Sequence, residues 1–453
     1  MSERIPFSWP MHLDAYSKDA PFLAWVDSGV IHTYSYAELL KNSSSLALKA
    51  HSRPPAEPIS LPLTDRTPKK AILASSYLLA GVPFSISKAT EAGKNLSGSH
   101  SGGRSPLDPV MITLETSGTT GKPKTVEIVA SQIDHAVRNL PTPFHTAAGE
   151  YWGHALPLHH VGGVSILGRA LSTGGGVAFA KDTSVEAIQE LLTYVPLKGI
   201  SLVATQLQRL LKHSDSIERL STQDAILLGG GPLPLEVAEQ ALAHELPIYQ
   251  SYGMTETFAM IAAHRLSDTP AEPQCIGKPF GDTEIMLQNG TLHLRGTQIG
   301  GTSSEAASSG QPSSDSWFDT GDLGRMDQQG RWIIEARRDD LILSGGNNIS
   351  PLRLEQAIAQ HQTIEAVIVL GVDDTEWGQR VVAIVEPNPT TDESTLQAAL
   401  HPVALDTWIK KQKNIHSYER PKEWIILPEG KTIPRTAIGK LARKEARALL
   451  GDR

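Results

Sequence analysis

The sequence predicts an α/β protein: a large N-terminal domain of layered α/β subdomains plus a β-rich subdomain, then a small α+β C-terminal domain. Three observations predict it. Apolar strand-like runs and helical patterns alternate between residues 110 and 260, which argues for a layered core with parallel strands. From 275 to 335 the pattern changes to short alternating runs separated by glycine, such as Glu284–Leu287 and Thr291–Arg295, the signature of a small sheet. After Arg337 the chain restarts as a compact unit. At 453 residues it is too long for one ordinary core.

In chain order, Phe22–Val26 reads as a strand and Ser35–Ala50 as a helix. Lys69–Ala80 reads as a second helix, followed by the apolar run Val82–Ile86. The Gly/Ser stretch Asn95–Pro106 reads as a flexible connection. Val110–Leu114, Ser201–Ala204, Ala225–Leu228 and Pro247–Gln250 read as strands, and Gln206–Lys212 and Pro234–Leu242 as helices. Gly300–Ser316 is rich in Ser, Gly and Ala and is expected to be a mobile loop. In the last unit a helix is expected near Pro351–His361, with strands at Ala366–Leu370 and Val381–Val385. The domains are expected to divide at 337/338.

Composition excludes several function classes. The net charge of −8 gives no general affinity for nucleic acid or anionic membrane, so any phosphate site must be local. The N-terminus has no apolar leader segment and no run approaches a membrane span, so a cytoplasmic enzyme without membrane insertion is the expectation. Cys275 is the sole cysteine; it can form no internal disulfide and is expected to be a small buried hydrophobe.

Residues 116–124 carry the strongest chemical signal. Thr116, Ser117, Gly118, Thr119, Thr120, Gly121, Lys122, Pro123 and Lys124 combine hydroxyls, lysines and close-approach glycine backbone, the inventory for holding a polyphosphate at a strand end. It is not the usual P-loop, whose spacing is absent here. Gly229, Gly230, Gly231 and Pro232 follow a strand, where backbone can approach a flat ring or simply turn into a helix. In Ser251–Thr257, Tyr252 can stack on a base, while Thr255 and Glu256 offer hard oxygens to Mg²⁺; alone, Glu256 would read as an exposed carboxylate. Asp319–Asp322 is an Asx-type turn or a ribose site. Arg337–Pro351 reads as a charged linker or as a hinge with a glycine-containing mobile loop. Pro434–Lys440 would pass for a solvated tail loop in isolation.

Together, in this order and at these intervals, the motifs resemble the acyl-adenylate-forming superfamily of acyl-CoA synthetases, peptide-synthetase adenylation domains and luciferases. The resemblance covers essentially the whole chain. It implies attack of a carboxylate on the α-phosphorus of Mg·ATP, giving an acyl-adenylate and pyrophosphate, and then displacement of AMP by a thiol. By similarity, Thr116–Lys124 holds the β,γ-phosphates and Gly229–Pro232 with Tyr252 encloses adenine. Thr255 contacts the α-phosphate, Glu256 helps hold Mg²⁺, and Asp322 and Arg337 bind ribose. Lys440 would bridge the substrate carboxylate and α-phosphate. Asp339 matches the hinge, about which a mobile C-terminal domain would swing Ser344, Gly345 and Gly346 against the thiol.

Within that superfamily, Leu156–Gly163, Ser201–Leu211 and Ile226–Pro234 resemble acyl-pocket segments of the o-succinylbenzoate–CoA ligases of menaquinone synthesis. Ala204 and His159 depart from that subfamily's usual proline and aromatic. The acid it implies keeps a second carboxylate and a ketone, which need donors or cations when desolvated. Gln206 and Arg209, three apart on an expected helix, share a face and are candidates. Arg169, His160 and Gly253 are further pocket candidates. The implied partners are ATP, coenzyme A and a small carboxylic acid, with self-association left open. Two other functions stay open at this level. One is a stand-alone adenylation enzyme loading an aryl, amino or fatty acid onto CoA or a carrier protein. The other is a non-catalytic nucleotide-binding protein, which intact Lys440 and Glu256 oppose.

Overall fold

The computed structural model describes residues 18–51, 59–62, 67–80, 82–87, 110–117, 123–299, 317–389, 391–412, 415–436 and 441–451. The expected connections Asn95–Pro106 and Gly300–Ser316 lie outside the described residues. Strands β1 (Pro21–Asp27) and β2 (Val30–Ser35) form one edge of the main sheet. β3 (Ile59–Pro62), β4 (Phe84–Ser87), β5 (Val110–Ser117) and β6 (Pro123–Val129) make a separate four-stranded sheet in that order. β7 (Tyr151–His154), β8 (Gly176–Phe179), β9 (Leu197–Leu202), β10 (Ala225–Leu228), β11 (Ile248–Met254) and β12 (Ala259–Arg265) complete the main sheet, whose order is β12-β11-β10-β9-β7-β8-β1-β2.

The six inner strands of that sheet are mutually parallel, and only the edges β2 and β12 run antiparallel. The inner strands are short and apolar on both faces, as helices on both sides require. On one face, Trp152, Leu171, Leu227 and Val177 pack toward the smaller sheet through the helices Pro68–Ala80 and Val161–Thr173. On the other, Ile200, Leu202, Ile226 and Ile248 pack under the helices Val185–Tyr194, Ala204–Leu210 and Leu235–Ala243. Ser184 caps the first of these helices by accepting the Ala187 N–H, which ends β8's excursion and aims the helix back across the sheet. Each fully buried Phe, such as Phe22, Phe84 and Phe179, contributes about 1.5–3 kcal/mol over exposure.

β13 (Cys275–Gly277), β14 (Glu284–Gln288), β15 (Thr291–Arg295), β16 (Phe318–Met326) and β17 (Trp332–Arg337) form the expected β-rich unit, an antiparallel five-stranded sheet. Cys275 is buried in it, as expected. β18 (Ile342–Ser344), β19 (Asn347–Ile349), β20 (Ile364–Asp374), β21 (Gly378–Pro387) and β22 (Glu423–Ile426) form the last sheet. Its two cores draw only on residues from Ile342 onward. Among the described residues no helix is long and apolar enough to cross a membrane.

Candidate active site

In an open parallel sheet, ligands collect beyond the carboxyl ends of the strands. Here β9 and β10 end side by side beside β11, with Leu202, Leu228 and Gln250 in register. The chain turns out of β10 at Gly229, whose N–H donates to Leu202 O at 3.1 Å. Ser251 Oγ donates to Leu228 O at 2.7 Å and Gln250 Nε2 to Gly231 O at 3.2 Å, so β11 holds the glycine turn from its flank. From the same strand, the Tyr252 hydroxyl donates to Asp322 Oδ2 at 2.7 Å, both groups being buried. Burial, and then the Asp322 charge, push the Tyr252 phenol far above its ordinary range, which keeps it a donor. Asp322 stands opposite Arg337 across β16 and β17, their charges 3.6 Å apart, and Arg337 is half exposed. A buried carboxylate with one oxygen taken by a phenol and a half-exposed guanidinium beside it is an arrangement suited to vicinal hydroxyls.

Beyond Tyr252 the chain makes a tight turn. Gly253 sits where a Cβ would meet Ala259 O at 1.8 Å, so no larger residue fits. Thr255–Thr257 form a single 3₁₀ turn, and Phe258 and Ala259 then follow with φ of 44° and 74°. Two successive non-glycine residues in the left-handed region cost about 1–3 kcal/mol each and persist only where the surroundings over-determine them. The turn presents Thr255 and Glu256, both half-buried, at the carboxyl end of β11. One hydroxyl and one carboxylate are hard oxygen donors, a set that fits Mg²⁺ bound mainly through nucleotide phosphates.

Arg169 lies on the helix Val161–Thr173, packed on the Trp152 face of the main sheet. Its guanidinium stands 4.8 Å from the Trp152 ring centre, and its Nη2 donates to Ser201 Oγ at 3.2 Å. The second terminal nitrogen is buried, with no hydrogen-bond partner among the described residues. Burial pushes its pKa down to about 9, so it stays protonated at neutral pH. Among the described residues no carboxylate pairs with it. Ser201 is one residue from the end of β9, so the guanidinium lies at the carboxyl edge of the sheet, beside the strand that leads into Gly229.

Gln206 and Arg209 do not form a joint site. Gln206 is buried on the opposite face, where its amide donates to Ala155 O and Thr183 O and accepts the Val203 N–H. It is the third residue of its helix, and the free N–H groups of the helix start have claimed it. Arg209, on the next turn, is exposed. His160 caps the start of the Arg169 helix, half-buried, its ring 4.4 Å from that of His159.

In the last unit Asp339 is exposed in the single turn Arg338–Asp340. Ser344 and Asn347 are paired across a two-residue hairpin, with Gly345 and Gly346 at φ of 55° and 78°. Both positive angles are what the tightest hairpin turn requires and what glycine supplies. Gly345 N–H donates to Trp377 O at 2.8 Å. Arg443 makes two 2.7 Å contacts to Glu355 and one at 2.8 Å to Val369 O, with Asp340 at 3.5 Å. Burial opposes the charge on Arg443, yet Glu355 and Asp340 outweigh it and raise its pKa. Leu441 is bridged to Arg435, and Glu386 accepts the Ile433 N–H at 2.9 Å, so both flanks of 437–440 are anchored. Lys440, like Gly118–Lys122, lies outside the described residues. Of the phosphate-loop residues, the backbones of Thr116 and Lys124 pair directly across β5 and β6, and Ser117 pairs with Pro123.

The profile of the AMP-binding enzymes matches residues 63–299, and that of the AMP-binding enzyme C-terminal domain matches 353–440. The chain belongs to the AMP-binding enzymes. Among its relatives, the 2-succinylbenzoate–CoA ligase of Listeria monocytogenes serotype 4b is 31% identical over 418 residues, covering 91% of this chain and 85% of that protein. The ligase of the same name from Oceanobacillus iheyensis is 29% identical over 346 residues, covering 74% and 69%. The fold matches the o-succinylbenzoate CoA synthetase of Bacillus subtilis, solved with its acyl-adenylate intermediate. That match has a TM-score of 0.75 at 24% identity and covers 98% of both chains. The same Bacillus protein solved with ATP and magnesium ion gives 0.75 at 23% identity, covering 97% of this chain and 99% of that one.

For an AMP-binding enzyme, the sequence-predicted residues divide clearly. Tyr252, Asp322 and Arg337 come together, as do the Gly229–Pro232 turn and β11, and Thr255 with Glu256 extend from the same strand. Sequence reasoning did not single out Trp152 or Ser201, which hold Arg169. The available signal was weak: Trp152 lies in no run read as an element or motif, and Ser201 opens a run read as a strand and as resembling a pocket segment without being picked from it.

Proposed function

We propose that this chain is an ATP-dependent, AMP-forming acid–CoA ligase of the cytoplasm that converts 2-succinylbenzoate to its CoA thioester through an acyl-adenylate, a step of menaquinone synthesis. The names of its relatives support the acid, and one observation in this chain carries it: the buried Arg169 guanidinium has no carboxylate partner among the described residues. An acid activated at one carboxylate while retaining another would supply that partner.

In this reading residues 1–337 form the nucleotide and acyl domain and 338–453 a mobile domain carrying Asp339 and Lys440. Asp322 and Arg337 take the ribose hydroxyls, and Tyr252 with the Gly229–Pro232 turn flanks adenine. Thr255 contacts the α-phosphate, and Thr116–Lys124 holds the leaving pyrophosphate. Glu256 would hold magnesium, which when bound supplies positive charge to phosphate oxygens. Lys440 draws the substrate carboxylate and α-phosphate together, because two anions approach only where aligned positive charge offsets their repulsion. Rotation at Asp339 then replaces Lys440 by the Ser344–Gly346 turn for thiol attack. Incubation with ATP, magnesium, CoA and 2-succinylbenzoate should yield AMP, pyrophosphate and the thioester. No thioester above background would overturn the proposal.

A further inference from the structure

Two buried glutamines outside every motif converge on the strained turn that carries Thr255 and Glu256. Gln132 is the third residue of the helix Ala130–Arg138 and is 1% exposed. Its side-chain oxygen accepts the N–H of Val129, the last residue of β6, at 3.0 Å. Its nitrogen donates to Glu256 O at 3.0 Å and to Gln298 O at 3.2 Å. Gln298, also 1% exposed, donates to Thr257 O at 2.8 Å and Met260 O at 2.9 Å. Each amide nitrogen faces two carbonyls, so the orientation of both side chains is fixed by chemistry. Thr257, fully buried, closes the turn from within: its hydroxyl accepts the Met254 N–H at 3.0 Å and lies 2.5 Å from Ala259 O.

The two glutamines therefore grip the turn on both sides of its left-handed residues Phe258 and Ala259. They do so from two other parts of the fold. Gln132 hangs from β6, the strand that leads away from the phosphate loop, and Gln298 from the segment that follows β15. The backbone carbonyl of Glu256 is thereby tied to the same strand whose other end is Pro123 and Lys124.

We infer that Gln132 and Gln298 are positioning residues for adenylation, holding Thr255 and Glu256 in fixed register with β6, the strand that carries Lys124, so that α-phosphate, metal and leaving pyrophosphate are addressed together. The inference rests on the adenylation reading above. The turn serves the first half-reaction, while thioester formation from a finished adenylate has no need of bound metal or pyrophosphate. Loss of the grip should therefore separate the two halves.

The test compares Gln132→Met and Gln298→Met with wild type in two assays on folded protein. One measures ATP- and acid-dependent pyrophosphate release across a magnesium titration. The other measures thioester formation from supplied acyl-adenylate and CoA. A displacement of the turn by a fraction of an ångström should lower kcat for pyrophosphate release by about 10- to 100-fold and raise the magnesium concentration needed for half-maximal rate. Thioester formation should stay within about twofold of wild type. In a Glu256→Gln background, Gln132→Met should add less than about twofold, because it acts through Glu256. Equal losses in both half-reactions, or multiplicative losses in the double variant, would overturn the inference. Should Gln132→Met fail to fold, Gln298→Met, which leaves the Val129 N–H paired, is read by the same criteria. Wild-type protein that releases no pyrophosphate would instead overturn the adenylation reading itself.

Discussion

Two arginines in this chain, Arg169 buried and Arg443 half-buried, have opposite surroundings. Arg443, in the last unit, is met by Glu355 at two 2.7 Å contacts, by a carbonyl and by Asp340. Arg169, on a helix packed against the main sheet, has a serine hydroxyl, an indole face and one terminal nitrogen with no partner among the described residues. Removing a cation from water is expensive, and a fold recovers that cost only by pairing it. Arg443 is paired, so its role is internal: it fastens the segment just after Lys440 to the helix Pro351–Ile358 and to the residue following Asp339. Among the described residues Arg169 is left short of an anion, and in the function proposed here the acid supplies it. On the proposed function, completeness of pairing separates a structural cation from a binding one, although both are helical arginines held away from most of the solvent.

Substitution by a neutral residue of similar size should affect the two in opposite ways. Arg443→Met leaves Glu355 buried without its cation and should destabilise the last unit by about 3–5 kcal/mol, measured by denaturant unfolding. Arg169→Met removes a buried charge that has no carboxylate partner among the described residues. Its ligand-free melting temperature should be unchanged or higher, while kcat/KM for 2-succinylbenzoate falls about 100-fold. A fall in the stability of Arg169→Met comparable to that of Arg443→Met would break the comparison.

Smaller effects sharpen it. Tyr252→Phe removes the hydroxyl that holds Asp322 Oδ2 and should raise KM for ATP about threefold to tenfold without altering KM for the acid. Arg209→Ala, at an exposed site, should leave both Michaelis constants within about twofold and the unfolding free energy within about 0.5 kcal/mol of wild type.

The architecture was legible because its determinants are local. Ala225–Leu228 has the bounds read from its apolar run, and the glycine-punctuated alternation of 275–335 gave the antiparallel sheet. β7 and β8 were not picked out, because four-residue strands buried on both faces show no alternation. β11 ran on to Met254 because pairing with β12 extends it into what reads as a polar loop. The nucleotide cluster was legible through motif order: Tyr252, Asp322 and Arg337 are 70 and 85 positions apart in sequence terms and meet only through sheet register. The pairing of Gln206 with Arg209 failed for a physical reason. Helical spacing puts residues on one side of a helix, but the unsatisfied N–H groups at its start turned the Gln206 amide inward. Gln132 and Gln298 carried no signal at all, since their partners are backbone carbonyls, which leave no trace in side-chain identity.

The central claim is that Arg169 reads the second carboxylate of the acid. It is tested most directly by comparing kcat/KM for 2-succinylbenzoate with that for the analogue lacking the ring carboxylate, in wild type and in Arg169→Met. The account predicts that wild type prefers the diacid by about 100-fold and that Arg169→Met abolishes the preference by losing only its activity toward the diacid. A preference that survives the substitution unchanged would contradict it.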